Sequence, residues 1–224
     1  MIDYTFFNKK YLIRMFDKII EINNKFNSKY ISDNKYSNII LQIYNSENIS
    51  IDEFDQSDPI ILNIIANYYS HIKENKKESI KYLLEAIKKN HIDSILDLAE
   101  LYKTTKDYEL EKKCLFDGLE KNKENTNILR KIAEYYLEIE KDKAQTELYY
   151  LMILDICTKT NTINPEILYD IGDFYYYDLD QEDTGIKYFE MSCEYDDIEI
   201  LLKVASSYWI GPGKKKNIYL KLLN

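Results

Sequence analysis

Glycine and proline are scarce in this 224-residue chain, five and three residues respectively. That is too few for the many turns of a β sandwich and fits a nearly all-helical chain joined by short polar turns. Cysteine is scarce as well. Cys114, Cys157 and Cys193 are odd in number and widely spaced, and the only histidines are His71 and His91, so neither a disulfide framework nor a set of metal ligands is indicated. No apolar run approaches the length needed to cross a bilayer. The N-terminal stretch MIDYTFFNKKYLIRMFDKII is cut by charges too often for a signal peptide. These absences lead to the expectation of a protein of the reducing cytoplasm, without a membrane segment.

Positive charge is also in deficit. The formal net charge is −9, and the only dense basic run is Lys214, Lys215 and Lys216, so a phosphate backbone is an unfavourable partner and nucleic acid is not expected to bind. The signatures of catalysis are missing too: no glycine-rich phosphate loop, no His-Glu-x-x-His, no Gly-x-Ser-x-Gly and no Cys-x-x-Cys. His71 and His91 stand where polar structural roles suffice, with no nucleophile implied beside them. The chain is therefore read as non-enzymatic, with no cofactor and no metal.

What is present is a repeat. The segments ILNIIANYY (61–69), SILDLAELY (94–102), ILRKIAEYY (128–136), ILYDIGDFY (167–175) and ILLKVASSY (200–208) share four columns. A large apolar residue comes first (Leu62, Ile95, Leu129, Leu168, Leu201), and another stands just before the small position (Ile65, Leu98, Ile132, Ile171, Val204). The small residue itself is Ala66, Ala99, Ala133, Gly172 or Ala205, and a tyrosine follows three positions later (Tyr69, Tyr102, Tyr136, Tyr175, Tyr208). Offsets of −4, −1, 0 and +3 share one face of an α-helix, and a small residue at the centre of that face admits a second helix at close range. Eight residues before each small position stand Asp58, His91, Asn125, Asn164 and Asp197. Four of these five are good N-cap types, and Pro59 and Pro165 suit the first helical position.

A second apolar helix lies between successive copies: ESIKYLLEAIKKN, YELEKKCLFDGLEKN, TELYYLMILDICTK and TGIKYFEMSCEYDD. The unit is thus a helical hairpin with a small-residue period of 33, 34, 39 and 33 residues. One such hairpin cannot bury its apolar face alone, so neighbouring hairpins must stack.

These columns resemble the tetratricopeptide repeat (TPR), and KDYELEKKCLFDGLEKN, with Asp107 and Tyr108, looks like that family's turn and second helix. The Sel-one-like repeat is the alternative, because Gly211 and Gly213 follow Tyr208 at a spacing that family uses. The chain departs from the pattern in lacking the first-helix Trp and most repeat-end prolines, and in carrying about five extra residues in the third hairpin. The resemblance, over residues 58–224, implies an all-α right-handed α-solenoid of about five stacked hairpins. Residues 1–57 are expected to form an N-terminal helical cap, with helices near 9–26 and 36–44, or a docking element, followed by an acidic linker.

The resemblance further implies that the first helices line a concave groove. Just after the small column stand Asn67, Glu100, Glu134, Asp173 and Ser206, and farther along come Tyr176 and Trp209. One reading is an acidic ladder that binds a basic or mixed basic and apolar peptide; the plainer one is a solvated acidic face. An acidic C-terminal tail would be repelled. The function expected is a protein-interaction scaffold or adaptor, against two alternatives: an RNA-binding helical repeat and a regulatory subunit of an enzyme complex. Finally, Ile218, Tyr219, Leu220, Leu222 and Leu223 predict a short apolar closing helix, through which a homodimer or a partner contact is expected.

Overall fold

The computed structural model describes residues 34–45, 50–195 and 197–209, and these residues contain helices and turns but no strand. Ten α-helices run in order: α1 Asn34–Asn45, α2 Pro59–His71, α3 Lys76–Lys88, α4 Asp93–Thr105, α5 Tyr108–Lys121, α6 Thr126–Tyr135, α7 Lys143–Thr160, α8 Pro165–Asp173, α9 Glu182–Cys193 and α10 Ile198–Trp209. The protein is all-α and built from helical hairpins. The expected helix near 9–26 and the expected closing helix with Ile218, Tyr219, Leu220, Leu222 and Leu223 lie outside the described residues. The chain divides into two compact units, Met1–Cys114 and Leu115–Asn224, the division falling within α5.

Four of the five first helices start as the cap column predicts. Asp58 accepts from the Ile60 amide at 2.9 Å, Asn125 from Ile128 at 3.0 Å and Asn164 from Glu166 at 2.9 Å. Asp197 accepts from both Glu199 and Ile200. Pro59 and Pro165 occupy first-turn positions where a missing N–H costs nothing. The exception is α4, where no side chain caps the helix and the ring Nδ1 of His91 instead pairs with Ser94 Oγ at 2.8 Å.

Each first helix passes to its second helix through a residue in the left-handed region: Glu74, Lys106, Lys141 and Asp180, with φ of 52, 63, 57 and 54°. Glycine ordinarily takes this position, so the turns are closed here at a cost in backbone strain, consistent with the low glycine count. In the first, third and fourth hairpins this residue comes five positions after the column tyrosine, and in the second it comes four after. The extra residue widens the end of α6 and α8 into π-turns, Tyr136–Glu140 and Phe174–Asp178. In all three wide turns, the amide just after the left-handed residue closes back on the tyrosine carbonyl: Asn75 to Tyr69, Asp142 to Tyr136 and Gln181 to Tyr175.

The wide turn sets the register of the hairpin. Thirteen residues after Tyr69, Tyr136 and Tyr175 come Tyr82, Tyr149 and Tyr188, and each pair stacks face to face, with centroids 5.5, 5.6 and 5.7 Å apart and planes within 6, 13 and 13°. The same offset sets small against small: Ala66 and Ser79, Ala133 and Thr146, Gly172 and Gly185 are all buried. The last pair approaches closely: a Cβ on Gly185 would lie 2.8 Å from the Gly172 carbonyl oxygen. In the second hairpin, which lacks the extra residue, the offset falls to 12: Cys114, 12 residues after Tyr102, packs against the same core as that tyrosine.

In the first unit the core gathers Ile40 and Ile43 of α1, Ile51, and Ile61, Leu62, Ile64, Ile65 and Ala66 of α2, with Leu83, Ala86 and Leu98 from α3 and α4. The segment expected as an acidic linker thus contributes Ile51 to the core and Phe54 against it, through a short 3-10 turn at Ile51–Glu53. In the second unit Leu129, Ile132, Ala133, Ile153, Leu168, Ile171, Phe174, Phe189 and Val204 are buried. The extra residues of the third hairpin extend α7 to 18 residues, against 13 in α3 and 12 in α9.

Candidate functional site: the first-helix faces

In the first unit α2, α3 and α4 enclose a cleft of about 110 Å³. Leu83 and Leu101 line its apolar side, Asn67, Ser70 and His71 come from α2, and Asp97, Glu100 and Thr104 from α4. Two of the residues expected at the groove, Asn67 and Glu100, are therefore brought together. Asp97 is held in place by amides: Asn63 Nδ2 donates to it at 2.6 Å and to Ser94 Oγ at 2.9 Å, and Asn67 Nδ2 lies 3.4 Å away. Asn63 is fully buried, so its contacts fix α2 against α4. A cleft of this volume admits one side chain and is well below the several hundred Å³ typical of small-molecule sites.

In the second unit the first-helix face carries a charge network. Arg130 of α6 donates through Nε to Asp170, and its guanidinium lies 3.1 Å from Glu166 and 3.5 Å from Glu134. Lys131 binds Glu134 at 2.7 Å, and Lys203 of α10 reaches Glu166 at 3.3 Å. Glu134 is thus engaged by two cations of its own helix, one of which also binds the next hairpin. Burial, with Glu134 and Glu166 adding to it, pushes the Asp170 carboxyl up to about 6 although Arg130 pulls the other way. Burial also acts upward on Glu166, but Arg130 and Lys203 outweigh it and hold that carboxyl below its ordinary range. Asp173 is half-buried and raised by burial and by Asp178.

Tyr176 does not continue the line of Asp173. The π-turn displaces the side chains that follow it by one position, so Tyr176 lies against Gly185 of α9 and 6.1 Å from the Phe189 ring. Its neighbour Tyr177 takes the outward direction and donates to the Ser207 carbonyl at 2.6 Å. Ser206 is exposed. Trp209 closes α10, but its side chain lies outside the described residues.

A pattern missed in the sequence joins successive first helices. The residue three before the small position in one helix meets the residue two before it in the next: Asn63 with Asp97, Arg130 with Asp170, and Tyr169 with Lys203, whose ammonium lies 5.8 Å from the ring. The separations, 34, 40 and 34 residues, are each the local repeat period plus one. A search for complementary pairs at that spacing would have found them. Among the described residues no three or more His, Cys, Asp or Glu side chains converge as metal ligands, and no helix is long and apolar enough to cross a membrane. Cys114, Cys157 and Cys193 are free thiols; Cys157 is buried.

The geometry defines an all-α helical-hairpin repeat. No family model and no curated protein matches the chain. Among solved structures, MamA AMB-1 in its C2221 crystal form aligns with a TM-score of 0.44 at 13% identity, over 79% of this chain and 96% of that one. Its P212121 form gives 0.44 at 13%, over 85% and 97%. A MamA mutant gives 0.43 at 13%, over 84% and 96%.

Proposed function

We propose that this protein is a non-enzymatic interaction scaffold of TPR-like or Sel-one-like repeats, a right-handed solenoid over residues 58–224 with residues 1–57 as its N-terminal cap and linker, working in the cytoplasm. Its ligand is a basic or mixed basic and apolar segment of another protein, received on the first-helix faces: Asn67 and Glu100 in the first unit, Glu134, Asp173 and the aromatic position Trp209 in the second. The segment 218–223, through which the sequence leads to the expectation of a homodimer or partner contact, lies outside the described residues.

The observation that carries the proposal is the cleft of the first unit. Leu83 and Leu101 offer an apolar wall of the kind a lysine or arginine stem packs on, while Asp97 and Glu100 stand on α4 with their carboxylates at the same cleft. Glu100 is exposed, so it can be changed without disturbing the core. The test is fluorescence anisotropy with a labelled alternating Lys-Leu peptide and an alternating Glu-Leu control. The Lys-Leu peptide is expected to bind preferentially, more weakly as salt rises, and to lose roughly 5- to 10-fold in affinity on Glu100→Lys. Equal binding of both peptides, or an unchanged affinity for the variant, would return Glu100 to a solvated surface role.

A further inference from the structure

One edge of α10 departs from the rule that joins α2, α6 and α8 each to the next first helix. Three residues before the small position, Asn63 is covered by Ser94 and Asp97 of α4, and Arg130 by Glu166 and Asp170 of α8. Tyr169, in the same column, is covered by α10, its hydroxyl 2.8 Å from Ser207 Oγ. The corresponding residue of α10 is Leu202. It is 66% exposed, and Ile198, one turn earlier on the same face, is 73% exposed. A helix face open to solvent ordinarily carries polar residues. Two branched aliphatic side chains stand there instead, spaced i, i+4 on an i±4 ridge that continues to the small, exposed Ser206.

We propose that this edge of α10 is a homotypic interface, through which two copies of the chain pair antiparallel about a two-fold axis near Leu201 and Leu202. The charges of α10 select a second copy as the occupant: the helix is self-complementary, and a two-fold contact buries the same patch on both copies. Glu199 and Lys203 are exposed and flank the apolar pair, and antiparallel pairing about that axis sets Glu199 of each copy beside Lys203 of the other. Lys203 already reaches Glu166 at 3.3 Å and retains exposure for a second carboxylate. The net charge of −9 opposes association at long range, so the apolar pair supplies the attraction and the crossed charges fix the register.

The test is sedimentation velocity of the full chain over a wide concentration range, with circular dichroism to confirm that each variant stays folded. Wild type is expected to pass from monomer to dimer as concentration rises. Ile198→Glu with Leu202→Glu is expected to remain monomeric with unchanged helical content. Glu199→Lys alone and Lys203→Glu alone set like charges opposite one another twice per dimer, and each is expected to weaken pairing by about 10-fold. An equimolar mixture of these two variants is expected to pair again, because every crossed contact is then attractive. A wild type that stays monomeric up to its solubility limit overturns the proposal. So does a double glutamate variant that dimerises like wild type, or a mixture that pairs no better than its components.

Discussion

Gly185→Ala probes the close approach of α9 to α8 and the turn that follows it. An added Cβ would lie 2.6 Å from Tyr176 Cβ and 2.8 Å from both the Tyr176 nitrogen and the Gly172 carbonyl oxygen. Ordinary contact begins near 3.4 Å, so α8 and α9 must separate locally by roughly 0.6–0.8 Å in a close-packed interior. Two of the three obstacles are backbone atoms that no rotamer change moves. Overpacking of this kind costs about 1–3 kcal/mol, and the higher helix propensity of alanine returns about 0.8–1 kcal/mol. The net expectation is a loss centred near 1 kcal/mol, within a range of about 0–2 kcal/mol. Gly172→Ala should cost less, since its added Cβ meets chiefly the Phe189 ring, at 2.7 and 2.9 Å, and a ring can tilt. Urea unfolding followed by the fluorescence of Trp209, the single tryptophan, measures both. A Gly185→Ala protein more stable than wild type would show that the two helices do not meet this closely.

The tyrosine stacks predict a double-mutant cycle: Tyr69→Leu and Tyr82→Leu should couple by about 0.5–1.5 kcal/mol, whereas strictly additive losses would show that the rings do not interact. Leucine keeps each position apolar while removing the ring. Asp170 sets a pH dependence. Its folded pKa, about 6, exceeds the 3.8 of an unperturbed Asp, so the native state binds the proton more tightly and this residue's stabilising contribution, complete below about pH 4, is lost as pH rises to about 6. The stability of wild type relative to Asp170→Asn should therefore fall over that window, and a rise would contradict the assigned burial. Lys141 holds φ at 57°. Lys141→Gly should accordingly raise stability by about 0.5–1 kcal/mol in thermal unfolding, and a loss would mean that the turn is not left-handed there.

Much of the fold was legible because each hairpin repeats one packing problem. The small column, its apolar neighbours and the cap residues are local features of a helix, and Ala133, Leu129 and Asn125 all stand where those columns place them. The inter-helix register was less visible. It depends on the extra residue absorbed by the π-turns, which shifts the second helix to a 13-residue offset and turns Tyr176 toward α9 rather than along the line of Asp173. The candidate site was legible only in part. Asn67 and Glu100 share a cleft, but their companions Asp97 and His71 come from positions that the ladder of carboxylates passed over. Glu134 looked like a free acid because its partner Arg130 is a helical neighbour whose other contacts, Glu166 and Asp170, lie 36 and 40 residues onward. Ile51 shows the same limit: in an acidic, polar stretch a single apolar residue gives no periodicity to read, yet it enters the core.

The central functional claim is that a cationic segment seats on the first-helix face, and the most direct measurement is the perturbation of backbone amide resonances on titrating the ¹⁵N-labelled protein with the Lys-Leu peptide. In the first unit shifts are expected at Asn67, Ser70, His71, Glu100 and Thr104, which line the cleft of α2 and α4, with little change at exposed second-helix positions such as Leu84. Shifts confined to the second helices, or none at saturating peptide, would contradict it.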